Sequence, residues 1–148
     1  MYVSGLLPFL PAGDLETDRV SAPLDARELK DVRFQLQGTT TDTPVGTIYV
    51  QVAEDFGTVQ DDVVMGLYGT ANEKAKWVTV SIPLEAVHGL GSGQAWAAGS
   101  ITWNGTAVLA IWISLLDAGC MVRIKWDNTS AGSGTGATMT IRGAGRSR

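Results

Sequence analysis

The chain has 148 residues, of which 45% are hydrophobic and 18% charged, and this balance excludes a disordered chain and indicates one folded domain. Its single cysteine, Cys120, excludes an intrachain disulfide framework. The net charge of −4 argues against general nucleic-acid binding. The longest apolar run, 107–116, is much shorter than the roughly 20 residues that span a membrane. We therefore expect neither nucleic acid nor a membrane as a partner.

Residues 1–23 are predicted to form an extended arm, because Pro8, Pro11 and Pro23 fix φ and remove backbone donors. The arm carries large apolar side chains that need a covering surface, namely Leu6, Leu7, Phe9 and Leu10. That surface belongs either to the same domain or to a neighbouring subunit. We interpret the arm as an inter-subunit element whose apolar residues bind a partner.

Alternation of apolar and polar residues predicts most of the strands. The first strand, 27–37, directs Val32, Phe34 and Leu36 inward, and the second covers 47–53. These two are expected to form an antiparallel pair around the Thr-rich turn between them. Further strands are predicted at 63–68, 77–82, 107–116, 120–126 and 135–143.

The last two strands flank a Gly/Ser-rich stretch at 127–134, and this arrangement predicts a β-hairpin. Apolar residues alternate on both sides of the stretch, from Cys120 to Trp126 and from Ala137 to Ile141. The run at 107–116 is apolar on both faces, which predicts a strand buried on both sides. Trp112 and Trp126 lie in apolar runs and are expected in the core.

No stretch shows the periodicity of a long amphipathic helix, so the sequence predicts an all-β fold. The expected architecture is an antiparallel two-sheet sandwich, jelly-roll-like, with a closed small barrel as the alternative. The predicted organisation is the arm at 1–23, a β-sandwich domain at 24–143 and a short basic tail at 144–148.

Residues 85–106 are the longest stretch without strong periodicity, and they hold several glycines together with Trp96 and Trp103. A loop of this length is usually functional or contacts a partner. Large aromatic side chains are enriched among residues that dominate binding energy. We therefore predict that Trp96 and Trp103 bind a partner; the alternative is that both rings fold back onto their own sandwich.

The sequence contains no motif typical of a catalytic, cofactor or metal site. His88 is the only histidine and lies in a Gly-rich region, so a catalytic triad is not expected. One histidine and one cysteine cannot supply the usual zinc ligands. The carboxylates at Asp14, Glu16 and Asp18 lack the glycine and the glutamate of a calcium loop. We therefore expect no catalytic residue, no cofactor and no metal.

Acidic and basic residues are unevenly distributed between the two halves of the chain. Residues 1–62 carry eleven acidic and four basic side chains, whereas residues 63–148 carry four acidic and seven basic ones. Copies of such a chain can pack head to tail. The alternative is that both sets of charges are solvated.

Several segments together resemble a known group of proteins. They are F-x-L-x-G at 34–38, T-P-V-G-T-I-x-V-Q-V at 43–52, an isolated strand at Trp77, and V-R-I-K-W-x-x-T-S-A-G-S-G-T at 122–135. Over residues 29–143 the chain resembles small β-sandwich virion proteins of tailed bacteriophages. The resemblance implies a role in structure and assembly rather than in catalysis.

The function expected from this resemblance is that of a non-enzymatic capsid decoration or cement protein on the phage head. It implies binding to copies of itself, for example as a trimer, and to the major capsid protein or other virion proteins. The location would be the virion, assembled in the cytoplasm of a host bacterium. The alternatives are a carbohydrate-binding or tail-associated and fibre-associated module and, third, a hydrolase.

Overall fold

The computed structural model describes residues 2–10, 14–39, 44–54, 77–91, 94–103, 108–114, 120–129 and 136–147. Within these ranges the chain forms strands and one short 3-10 turn at Leu84–Ala86. The strands are β1 (Tyr2–Leu6), β2 (Phe9–Leu10), β3 (Arg19–Ser21), β4 (Leu24–Asp25), β5 (Leu29–Thr39), β6 (Gly46–Glu54), β7 (Val78–Thr79), β8 (Val87–His88), β9 (Ala95–Ala97), β10 (Ser100–Trp103), β11 (Val108–Ser114), β12 (Cys120–Asn128) and β13 (Thr138–Ser147). Two antiparallel sheets pack against each other, which confirms the predicted all-β sandwich.

One sheet, here called the front sheet, has the strand order β1-β13-β5-β11-β8. Its central strand, β5, pairs with β13 on one side and with β11 on the other, and both pairings are antiparallel. The inward side chains of β5 are Val32, Phe34 and Leu36, and all three are fully buried. β5 is therefore covered by neighbours on both edges and by the core on one face.

The second sheet, here called the back sheet, has the order β2-β3-β12-β6-β10-β9, with β4 also paired to β12 and β7 to β6. Its longest ladder joins β12 to β6, from Cys120 opposite Glu54 to Asn128 opposite Gly46. No helix among the described residues is long and apolar enough to cross a membrane.

The core lies between the two sheets, and the alternating residues fill it as predicted. Burying each large apolar side chain contributes about 1.5–3 kcal/mol. The buried residues that alternation identified are Val32, Phe34, Leu36, Ile48, Val50, Ile82, Val122, Ile124, Trp126, Ala137, Met139 and Ile141.

The last two strands do not form a hairpin, contrary to the prediction. β12 lies in the back sheet beside β6, whereas β13 lies in the front sheet between β1 and β5. The expected pair of β5 and β6 is wrong in the same way, because these strands also belong to different sheets. Alternation determines which face of a strand is buried, but not which strand lies beside it. Turn-forming residues suit a crossing between sheets as well as a hairpin.

The N-terminal residues are part of the sandwich rather than a separate arm. β1 pairs with β13 at one edge of the front sheet, and β2 pairs with β3 in the back sheet. Pro8 lies between β1 and β2, where the chain passes from one sheet to the other. Leu7 and Phe9 are each only 7% exposed and join the core of their own chain. Leu6 is 59% exposed, and Leu10 is half-buried.

The predicted loop at 85–106 is also largely built into the sheets. Its described residues include β8, β9 and β10, and β10 pairs with β6 in the back sheet. The strand predicted at 77–82 is reduced to Val78–Thr79. At the other end of the chain, β13 continues to Ser147, so the described part of the predicted basic tail is strand. The strand predicted at 63–68 lies outside the described residues.

Replacing Gly46 by alanine is expected to destabilise the protein by about 1–3 kcal/mol, the usual cost of overpacking. A Cβ there would lie 2.5 Å from the carbonyl oxygen of Asp127 and 2.5 Å from the Cη2 atom of Trp126, which is fully buried. The matched control is Gly5→Ala in β1, because nothing lies within 4 Å of its added Cβ. Urea unfolding of the two variants measures the difference, and equal stabilities would contradict the packing described here.

Candidate functional site

The outward side chains of the front sheet form one continuous surface. The register places Arg33 of β5 between Trp112 of β11 and Ala144 of β13. Directly opposed residues on neighbouring strands are close enough to interact. We call this surface the basic face, and it comprises Arg33, Gln35, Ala110, Trp112, Arg142, Ala144 and Arg146.

Trp112 is the most prominent side chain of the basic face and is 47% exposed. The guanidinium carbon of Arg33 lies 4.6 Å from the ring centroid of Trp112, and the His88 ring lies 4.8 Å from it at an angle of 45°. Because β5 and β8 flank β11, Arg33 and His88 approach the indole from opposite sides. The ring is therefore contacted from both neighbouring strands, while about half of its surface remains in solvent.

The prediction that Trp112 belongs to the core is wrong. On β11, Leu109 and Ile111 are fully buried, whereas Val108 and Trp112 are about half exposed. An apolar residue on the outer face of a sheet is buried only when a further layer covers that face. The described residues provide no such layer over Trp112.

A shallow depression of about 430 Å³ lies beside Trp112. Small residues leave room for it, since the lining includes Ser4, Gly5, Ala110, Gly143 and Ala144. The larger side chains around it are Arg33, Gln35, Trp112 and Arg142. The volume falls in the range of about 300–1,000 Å³ that is typical of ligand pockets. The depression lies on the outer face of the sheet, where side chains that project from a partner can enter it.

The basic face carries unpaired positive charge. No carboxylate among the described residues forms an ion pair with Arg33 or Arg142. Arg142 is exposed. An unpaired guanidinium that borders a depression can bind a carboxylate or another anion through two parallel hydrogen bonds.

Arg146, on the same face, is already paired with Asp31. Its Nε atom donates a hydrogen bond of 2.7 Å to Oδ2 of Asp31, and a second guanidinium nitrogen contacts the same oxygen. The hydrogen bonds from Arg146 hold the pKa of Asp31 below its ordinary value of 3.8, although partial burial opposes this shift. The pair occupies the end of the face where β5 begins, so the unpaired charge is confined to Arg33 and Arg142.

The residues that the sequence predicted to bind a partner do not lie together in the structure. Trp103 is fully buried, and its ring packs edge to face on Trp126 with centroids 5.9 Å apart. It therefore offers no surface in this chain, and its placement in a loop was wrong. Trp96 is 37% exposed on β9 of the back sheet, and its Nε1 atom donates a hydrogen bond of 2.7 Å to the carbonyl oxygen of Ile82. Leu6 alone of the predicted set borders the basic face, opposite Arg142.

The outer face of the back sheet is organised differently. Arg123, on the outer face of β12, is only 4% exposed. Its Nε atom donates a hydrogen bond of 2.9 Å to Oε1 of Gln51, and its guanidinium carbon lies 4.1 Å from the ring centroid of Trp77. Arg123 is therefore satisfied by its neighbours, in contrast to Arg33 and Arg142 of the basic face.

Sequence reasoning missed the basic face. The sequence pattern did not single out Arg33 or Arg142 as binding residues, and it placed Trp112 in the core. The available signal was that Val108, Ala110 and Trp112 share one face of β11. Which residues of β5 and β13 lie beside this face of β11 is known only once the strand register is known.

Comparisons with protein-family models, curated proteins and solved structures gave no significant match. Among the described residues, no group of three or more histidine, cysteine or carboxylate side chains is placed to hold a metal ion.

The Asp31–Arg146 pair predicts a specific response to acid. Because the folded pKa of Asp31 is lowered, its contribution to stability is present above the unfolded pKa and is lost as the pH falls through the folded pKa. Arg146→Met should therefore reduce the stability lost between neutral pH and a pH below 3.8. Urea unfolding at the two pH values measures this loss. Arg142→Met removes the same charge four positions away on β13 and should keep the wild-type loss; an equal reduction in both variants would contradict the assignment.

The placement of Trp103 in the core and of Trp112 on the surface predicts losses of stability of very different size. Trp103→Ala should cost about 3–5 kcal/mol, because it empties a large site in the core. Trp112→Ala should cost about 1 kcal/mol or less, the size of a partly exposed cation–π contact. Chemical unfolding of each variant separates the cases, and a greater loss for Trp112→Ala would mean that the front sheet is covered in solution.

Proposed function

We propose that this chain is a non-enzymatic structural protein of a tailed-bacteriophage virion, which decorates the capsid and attaches through the basic face of its front sheet. The observation that carries the proposal is the exposed Trp112 between Arg33 and His88, beside a depression bordered by Arg142. The virion assignment rests on the resemblance of segments 34–38, 43–52 and 122–135 to small β-sandwich virion proteins.

The chemistry of the basic face supports attachment to a protein surface. Tryptophan and arginine are the residues that most often dominate the energy of protein interfaces. Trp112 is fixed between two neighbours before binding, so little side-chain entropy is lost when a partner covers it. The residues of this face project from hydrogen-bonded strands of one sheet, which suits a broad contact with a capsid lattice.

The second candidate function is carbohydrate binding, favoured by an exposed indole beside a depression of about 430 Å³. Sugars stack on the flat face of an aromatic ring. Arg33 and His88 approach Trp112 from both sides, so a sugar would have to displace one of them. Contact with a protein through the outer edge of the ring needs no such displacement, and we favour it for that reason.

Particle fractionation tests the proposed function. The purified chain is mixed with phage particles that lack it and sedimented through a density gradient, alongside Arg33→Ala/Trp112→Ala. The wild-type chain should co-sediment, and the double variant should bind at least about tenfold more weakly, as expected for loss of hot-spot residues.

The matched control is Trp96→Ala, which removes an exposed tryptophan from the back sheet and should bind like the wild type. Loss of binding in this control alone would place the attachment surface on the back sheet. Failure of the wild type to co-sediment would reject the virion role, and retention of a defined glycan by the wild type but not by the double variant would support carbohydrate binding instead.

A further inference from the structure

Arg33 and Arg142 lie close enough together to bind the same anionic group of a partner. Arg142 lies opposite Gln35 on the neighbouring strand, two residues from Arg33. Such diagonal neighbours are about 7–8 Å apart, within reach of long side chains. Both arginines line the same depression, and no described carboxylate pairs with either. A partner segment that fits this depression therefore carries one or two carboxylates and projects from the surface of the partner.

The acidic segment 14–18 of the chain has these properties. Leu15 is fully buried and anchors the segment: its backbone N–H donates to Ala137 at 2.9 Å, and its carbonyl oxygen accepts a hydrogen bond of 3.1 Å from Trp126 Nε1. Glu16 and Asp18 are exposed, and Asp14 is half-buried. The carboxylates are therefore presented from a rigid base at one end of the sandwich.

The acidic segment cannot reach the basic face of its own chain. The Asp14 side chain accepts a long hydrogen bond from the N–H of Gly136. Gly136 precedes Arg142 by six residues, and at a rise of about 3.3 Å per residue these positions are roughly 20 Å apart. The basic face and the acidic segment can therefore meet only between two copies.

We infer that the basic face binds the acidic segment 14–18 of a second copy of this chain. The carboxylates of Glu16 and Asp14 enter the depression and pair with Arg33 and Arg142, while Trp112 covers the contact. This inference rests on the proposed function in that it assigns an occupant to the same face. The contact joins two different surfaces, so each added copy leaves one face and one segment free, and copies can continue into an array.

The strength of this contact should depend on salt. Charge pairs at a solvent-accessible interface are screened over a Debye length of about 10 Å at 0.1 M salt and about 3 Å at 1 M. Self-association of the wild type is therefore expected at low salt and should weaken as salt is added. Sedimentation equilibrium of the full chain, without particles, measures it.

Charge reversal provides the decisive test. A face variant, Arg33→Glu/Arg142→Glu, and a segment variant, Asp14→Lys/Glu16→Lys, should each self-associate at least about tenfold more weakly than the wild type, as expected when attractive pairs become repulsive. In an equimolar mixture every heterotypic contact again joins opposite charges, so association should return. Asp18 is left unchanged because its Oδ1 atom accepts a hydrogen bond of 2.9 Å from the N–H of Asn128. The two backbone hydrogen bonds that the Asp14 carboxylate accepts are long, 3.4 Å each, and are more easily given up.

A charge-matched control is Arg27→Glu/Lys125→Glu, which reverses two charges outside the basic face, one between β4 and β5 and one on β12 of the back sheet, and should associate like the wild type at equal salt. A wild type that stays monomeric at low salt, equal weakening by this control, or failure of the mixture to associate would each overturn the inference.

Particle binding is measured on the same samples. If the wild type co-sediments with particles but does not self-associate, binding of a second copy to the basic face is rejected and the virion role stands. If it self-associates but does not bind particles, only the virion role is rejected.

Discussion

Two long antiparallel ladders determine the rest of the structure: β5 with β13 in the front sheet, and β6 with β12 in the back sheet. Each ladder joins strands from distant parts of the chain, so each closes a long loop at an entropic cost before its hydrogen bonds form. That cost is offset by the apolar faces that the two ladders bury against each other. Gly46 marks how closely the back sheet packs, because the Trp126 ring occupies the space that a side chain would need there.

The inward faces of the ladders could be predicted from the sequence, because a side-chain period of two is a local property. Phe34, Ile48, Ile124 and Ile141 lie in the core as alternation indicated. The partner of each strand could not be predicted, since it depends on which buried faces complement one another across the whole domain. The same limit applies to the N-terminal residues, where the apolar pattern required a covering surface but did not say that Leu7 would find it beside Gly143.

The basic face was beyond prediction for a related reason. Trp103 and Trp112 both occur in apolar surroundings in the sequence, yet one is fully buried and the other is 47% exposed. The difference arises because the outer face of a sheet is buried only where another layer covers it. The grouping of Arg33, Trp112 and His88 further requires three strands in one register, and no local pattern encodes that register.

The two sheets show how differently an arginine can be used on the same kind of surface. Arg123 is buried, and its charge is compensated by a hydrogen bond to Gln51 and by contact with Trp77. Arg33 contacts the ring of Trp112, its charge also acts on Asp31, and it makes no hydrogen bond to the described residues. A guanidinium has five N–H donors in its plane, and contact with an aromatic face leaves those donors unused. The Trp112 ring therefore restricts the position of Arg33, while the N–H donors of the Arg33 guanidinium remain available. A positioned guanidinium with available donors is what recognition of a carboxylate requires.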